Sequence, residues 1–139
     1  MKGSYILLIE VKKNLKLSIG SLGEITFPKG IYAYVGSAMN SLEARIKRHL
    51  RKDKKLFWHI DYLLNDKNVK VIKVFYKESK KKEECKIAKI VSRYGEPIKG
   101  FGCSDCKCSA HLFKLRGEIH PTNFGLLESN FGKGKGLNG

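Results

Sequence analysis

Arg45 and His49 stand four residues apart, about one helical turn, in Leu42-Glu43-Ala44-Arg45-Ile46-Lys47-Arg48-His49-Leu50. A guanidinium is planar and always charged, so it suits two-point contact with a phosphate. An imidazole exchanges protons near neutral pH or contacts a phosphate itself. Lys47, Arg48 and Arg51 add positive charge suited to the backbone of a polyanion, with Arg48 read as a solvated side chain of the helix. Three tyrosines precede them: Tyr5 in Gly3-Ser4-Tyr5, and Tyr32 and Tyr34 in Gly30-Ile31-Tyr32-Ala33-Tyr34-Val35-Gly36. A phenol of ordinary pKa, about 10, is a poor base at neutral pH unless nearby cations lower that value. Ordinary strand packing is the competing account for each tyrosine. A solvated or half-buried helix edge is the competing account for Arg45 and His49.

A second constellation is Cys103-x2-Cys106-x-Cys108-x2-His111, with Cys85 upstream beside Glu84. Thiolates and imidazole are favoured zinc ligands, although a single C-x2-C pair is not the usual two-knuckle spacing. A disulfide is the second account, since intracellular proteins of hyperthermophiles form them. Plain buried thiols are the third. None of the three makes a cysteine the nucleophile, and Asp105 and His111 remain candidate neighbours of a site.

These groups need elements to position them. Gly3 to Val11 is apolar on both faces and predicts a central strand. Leu15 to Ile19 and Glu24 to Phe27, separated by Gly20 to Gly23, read as a hairpin. Pro28-Lys29-Gly30 turns the chain into a second main strand, Ile31 to Val35. Ser41 is placed to cap a helix over Leu42 to Leu50 whose buried stripe is Leu42, Ile46 and Leu50. A charged connection, residues 51 to 55, leads to a short helix over Phe57 to Leu64. Val69 to Tyr76 is a strand. Lys80 to Tyr94 is a third helix with Ile87, Ile90, Val91 and Tyr94 on its core side, ended by Gly95 and Pro97. Ala110 to Leu115 is strand-like, and residues 117 to 139, rich in glycine, read as a loosely held tail behind a domain of residues 1 to 116. The order implies an α+β fold: a small antiparallel sheet flanked by helices, with an inserted hairpin.

Composition narrows the partners. The 139-residue chain carries 28 Lys+Arg against 13 Asp+Glu, a net charge of +15. Such an excess suits a nucleic acid, whose phosphates basic side chains neutralise in a salt-dependent way, better than a solubilising surface alone. No basic amphipathic stretch with aromatic anchors points to a membrane, and no run reaches the roughly 18 apolar residues of a span. Met1-Lys2-Gly3 leads into a strand-like segment, not a signal-peptide core, so a soluble cytoplasmic protein is the default expectation. Glutamine is absent and lysine abundant, in keeping with a thermophile's avoidance of labile amides and equally with AT-rich coding bias.

Tyr34-Val35-Gly36-Ser37-Ala38 followed by Leu42-Glu43-Ala44-Arg45-Ile46-Lys47-Arg48-His49 resembles the core of the GIY-YIG nuclease superfamily. The wider chain, with Trp58-His59-Ile60-Asp61-Tyr62-Leu63-Leu64 and Ser104-Asp105-Cys106-Lys107-Cys108, is similar to an archaeal, largely uncharacterised branch of it, over roughly residues 3 to 115. Gly3-Ser4-Tyr5 then stands for the first triad and Tyr34-Val35-Gly36 for the second. Gly30-Ile31-Tyr32 is a decoy, with Gly30 a turn residue. The resemblance implies a DNA endonuclease in which a tyrosine, Tyr5 or Tyr34, serves as general base. Arg45 would steady the phosphate, His49 would assist, and a glutamate of the third helix would hold one divalent ion, Mg²⁺ or Mn²⁺. Glu83 and Glu84 both flank the core stripe; Glu84 shares a face with Ile87, Ala88 and Val91 and is the choice. In relatives an asparagine follows that glutamate by about a dozen residues; here the neighbourhood reads Gly95-Glu96-Pro97-Ile98. That departure favours one rival, a nucleic-acid-binding module without catalysis; the cysteine cluster carries a second, a metal- or redox-responsive protein built on residues 103 to 111.

Overall fold

In the strand Gly3–Val11 (β1) every residue but Glu10 is buried. Backbone buried on both sides must be hydrogen-bonded along both edges and covered on both faces. The computed structural model, which describes residues 1–103 and 108–129, supplies all four. Gly30–Ala38 (β4) pairs with one edge of β1 and Val69–Glu78 (β5) with the other, both antiparallel. Gly95–Pro97 (β6), Leu112–Leu115 (β7) and Leu127–Glu128 (β8) complete a six-stranded sheet in the order β6-β7-β4-β1-β5-β8. Leu15–Ser18 (β2) and Glu24–Phe27 (β3) form a separate hairpin. The fold is α+β on an antiparallel sheet, as the element order implied.

The pleat sorts side chains onto two faces. Tyr5, Leu7 and Ile9 of β1 and Tyr32 and Tyr34 of β4 point to one face, under the hairpin and the helices Leu42–Leu50 (α1) and His59–Leu64 (α2). Ile6, Leu8, Ala33 and Val35 point to the other, under the helix Glu84–Val91 (α3) and the C-terminal segment. The hairpin is part of the first layer, since Leu15, Ile19 and Phe27 enter its core. The Tyr32 hydroxyl donates to the Pro28 carbonyl at 2.6 Å and ties the hairpin's exit to β4.

Helix α1 has the bounds its pattern predicts. Ser41 Oγ accepts the Ala44 N–H at 3.1 Å, and Leu42 and Ile46 are buried. The other two helices are shorter than predicted. Phe57 and Trp58 stay outside α2 because their amides are taken by the Asp61 carboxylate. Helix α3 starts at Glu84, not Lys80. Ser79 forms a local turn with Lys81, and three lysines in a row oppose the positive end of a helix dipole. It ends at Val91, so Tyr94 lies beyond the helix and is exposed instead of joining the core.

Residues 117–129 correct the expectation of a loose tail. Ile119, Pro121, Leu126 and Ser129 are buried, and β8 pairs with Phe75 and Tyr76 at the edge of β5. Apolar anchors spaced among glycines close the second core; residues 130–139 lie outside the described residues. Burying one Ile or Leu side chain contributes about 1.5–3 kcal/mol. Truncation after Arg116 should therefore lower stability by at least about 3 kcal/mol in urea unfolding; a shortened chain as stable as the parent would make this segment dispensable.

Candidate functional site

Tyr5 of β1 stands opposite Gly36 of β4 in the ladder. A Cβ at position 36 would collide with the Tyr5 phenol, so the glycine is required by close approach of a ring. Tyr34, two residues earlier on β4, faces the same side. The two rings lie 6.4 Å apart. β7 pairs with β4 only from Tyr32 to Tyr34, and one further bond, Val35 N–H to the His111 carbonyl, extends the contact. Past Val35 that side of β4 has no strand neighbour among the described residues. A cleft of about 560 Å³ opens there, and groups from both faces of the sheet reach it, including Tyr5, Tyr34, Ser37, Arg45 and Glu84.

Arg45 is fixed in the cleft wall from two sides. Its guanidinium donates to the Ser37 carbonyl at 3.0 Å and lies 4.4 Å over the Trp58 ring. Arg48 lies over the same indole, 4.2 Å from the ring centre. Arg48 in turn grips Asp61, with Nη1 to Oδ1 at 2.8 Å and Nη2 to Oδ2 at 2.9 Å. Asp61 has no exposed side-chain surface. It also accepts the amides of Phe57 and Trp58 at 2.9 and 2.8 Å. Burial works against its charge, but Arg48 and the two amides outweigh it and hold the carboxyl below its ordinary pKa. The expected solvated, phosphate-binding Arg48 is therefore corrected: its donors are committed to a buried carboxylate. The connection after α1 is committed too. Lys54 Nζ donates to the His49 carbonyl at 3.0 Å, and burial brings its pKa down to about 8. Lys47 and Arg51 are exposed and keep the surface placement expected of them.

His49 lies behind Tyr5, not in the cleft. It is 2% exposed, and Nε2 sits 2.7 Å from the Tyr5 hydroxyl. A direct phosphate contact by His49 is thereby excluded; its contact is with the tyrosine. Burial lowers its pKa to about 3, with Lys54, Arg45 and Arg48 adding to the effect and Asp61 opposing it. The ring is neutral, and its Nδ1 is buried without a partner. A bare acceptor is cheaper to bury than an orphaned N–H, which places the proton on Nε2, donating to Tyr5. Tyr5 itself is held neutral: burial drives its pKa far above the ordinary phenol value, and Arg45 pulls against that as charge and as hydrogen-bond partner. Burial and the adjacent Tyr5 raise Tyr34 as well.

The carboxylates of α3 separate cleanly. Glu83 points away from the cleft to Lys77 at 3.0 Å and Ser79 at 2.6 Å. Glu84 lines the cleft and accepts a hydrogen bond from Ser37 Oγ. Glu96, in the place where an asparagine was sought, pairs with Arg116 on the outer strand β6. Behind Glu84, Cys85 and Cys108 form a disulfide, with His111 beside them. The thiol and imidazole atoms of Cys85, Cys108 and His111 lie within 4.8 Å of one another, a group that could hold a metal ion. Cys103 is not in that group, and Asp105 and Cys106 lie outside the described residues.

Residues 4–127 match the family model described as domain of unknown function DUF123. The chain belongs to the DUF123 family. Searches among curated proteins and among solved structures return no match. The DUF123 match runs into β8, consistent with the packing of the segment after Arg116.

In this DUF123 chain, Ser37, Trp58 and Asp61 position the site, and residue-by-residue reading passed over all three. A Trp shortly after the basic run of residues 51 to 55, with an acidic residue three positions on, was the available signal. Removing one partner of a buried ion pair costs about 3–5 kcal/mol because the other charge is stranded. Arg48→Met should lose that much in urea unfolding, whereas Lys47→Ala should stay within about 0.5 kcal/mol; equal effects would return Arg48 to the surface.

His49 gives a pH signature. The unfolded side chain binds a proton below about pH 6.5, the folded one only near pH 3. Between those values the unfolded state holds more protons, so stability falls as pH falls, by up to about 1.4 kcal/mol per unit. The parent should show this slope and His49→Asn should lack it; parallel profiles from pH 7 to 4 would mean that His49 charges in the folded chain.

Proposed function

We propose that the cleft hydrolyses phosphodiesters of nucleic acid, DNA first among them, with one divalent ion of the Mg²⁺ or Mn²⁺ class. The observation that carries this reading is convergence. Two phenols, a guanidinium and a carboxylate, from β1, β4, α1 and α3, meet in one open cleft on a chain of net charge +15. The donor set suits a hard ion, since Glu84 and Ser37 offer only oxygen and such ions are bound through one or two carboxylates with waters retained. When bound, the ion supplies Lewis-acid stabilisation of phosphoryl oxygens and acidifies water.

The chain's own residues do the rest. Arg45, held by Ser37 and Trp58, presents a fixed positive charge where the phosphate gains charge in the transition state. Tyr5 stands at the cleft with its oxygen backed by His49, so a phenolate formed there is met by an N–H behind and Arg45 beside it. Tyr34, kept neutral by burial, serves as an O–H donor to a phosphate oxygen. The exposed Lys47 and Arg51 contribute attraction to the backbone without reading sequence. A binding module without catalysis is the second reading. Burial that keeps both phenols protonated and Glu96 in place of an asparagine favour it.

Two substitutions separate the readings. Glu84→Ala should abolish cleavage of branched, linear and single-stranded substrates in Mg²⁺ or Mn²⁺, while affinity stays equal or rises slightly, because a negative charge is removed. Arg45→Ala should lose about a hundredfold in rate, roughly 3 kcal/mol, and some affinity. A parent that cuts nothing in the panel, or a Glu84→Ala variant that cuts as well as the parent, leaves the binding module.

A further inference from the structure

His111 is arranged as a metal ligand is. Its Nδ1 lies 3.1 Å from the Val35 carbonyl, which can only accept, so that nitrogen carries the ring proton. Nε2 is then the lone-pair nitrogen, and it stands 3.7 Å from Cys85 Sγ. A backbone carbonyl that fixes the tautomer from behind is the usual support of a metal-binding imidazole. The ring is 3% exposed, so its orientation is set by packing. Zn–S and Zn–N bonds of about 2.3 and 2.0 Å place tetrahedral ligands about 3.5 Å apart, near the 3.7 Å separation of Nε2 and Sγ. Cys108 completes a set of three within 4.8 Å.

The donor chemistry selects the ion. Two thiolates and an imidazole suit a borderline-soft ion of the zinc class, not the hard ion that oxygen donors take. Among the described residues three protein ligands converge, and the neighbouring cavity of about 410 Å³, lined by Cys85, Cys108 and Ala88, is open to supply water to a fourth position. The same two sulfurs are joined as a disulfide, with Cα atoms 6.2 Å apart. Disulfide and metal ion therefore compete for one pair of atoms.

We propose that, once the Cys85–Cys108 bond is reduced, Cys85, Cys108 and His111 bind one zinc-class ion. A phosphine reductant supplies the two electrons and becomes its oxide, and water supplies the oxygen and the two protons that give free thiols. Those protons leave as the thiolates take the ion. The site stands whether or not the adjoining cleft hydrolyses a phosphodiester.

The test uses the full-length chain, stripped of metal and reduced with phosphine, then titrated with Co²⁺ and Zn²⁺. One equivalent of Co²⁺ should give sulfur-to-cobalt charge-transfer absorption, and Zn²⁺ should abolish that absorption; the oxidised chain should show none of it. Loss of a supporting group alone weakens such sites by about 10- to 100-fold, so Cys85→Ser, Cys108→Ser and His111→Ala should each cost at least about a hundredfold. Cys103→Ser should match the parent. Because a variant could fail to fold, alkylation of the parent mapped by mass spectrometry gives an independent reading: Zn²⁺ should shield Cys85 and Cys108. A reduced parent that takes up no stoichiometric Co²⁺ or Zn²⁺ overturns the proposal. So does equal alkylation of Cys85 with and without Zn²⁺, or a Cys85→Ser variant that binds as the parent does.

Discussion

A carboxylate with no exposed surface, Asp61, is the constraint from which the first face of this protein is built. Stripped of water, its charge must be met by donors on every side. Arg48 of α1 donates to both of its oxygens, and the amides of Phe57 and Trp58 converge on Oδ2. One group thus joins α1 to the start of α2 and stands the Trp58 indole upright. Arg48 and Arg45 then lie near the same ring, and Arg45 is carried to the Ser37 carbonyl at the cleft. The position of Arg45 is set by a chain of contacts that begins at a buried anion.

The cleft itself comes from an unfinished ladder. β7 accompanies β4 for three residues and then leaves, and Gly36 brings no side chain to fill the gap. Groups from opposite faces of a sheet are normally kept apart by its thickness. Here Tyr5 from one face and Glu84 from the other reach a common space. At rest its phenols are neutral and the imidazole behind them is neutral, so Arg45 and Glu84 supply much of the field inside it.

Local rules made α1 and β1 legible. Ser41 caps, Leu42 and Ile46 repeat at helical spacing, and an unbroken apolar run marks a central strand. The candidate set Tyr5, Tyr34, Arg45 and Glu84 was also readable, and those side chains do converge. The ion pair of Arg48 and Asp61 was not, because thirteen residues separate two charges that each look solvated on their own helix. His49 looked accessible for the same reason: helical spacing places a residue on a face but says nothing of what covers that face. The segment after Arg116 was hidden by glycines, although Ile119 and Leu126 were the apolar residues that needed cover. Helix α3 was read too long because Lys80 to Lys82, good helix formers by themselves, precede its apolar stripe although their charge opposes the dipole.

The sheet's two outer strands are very short: β6 has three residues, one of them Pro97, and β8 has two. Most of the edge of the ten-residue β5 is left without a partner strand among the described residues, and along it run Lys70, Lys73 and Lys77. Two copies brought edge to edge would face like charges on one side and, on the other, a proline with no N–H to offer. The same lysines that raise the net charge thus discourage lateral growth of the sheet into a ribbon of many chains.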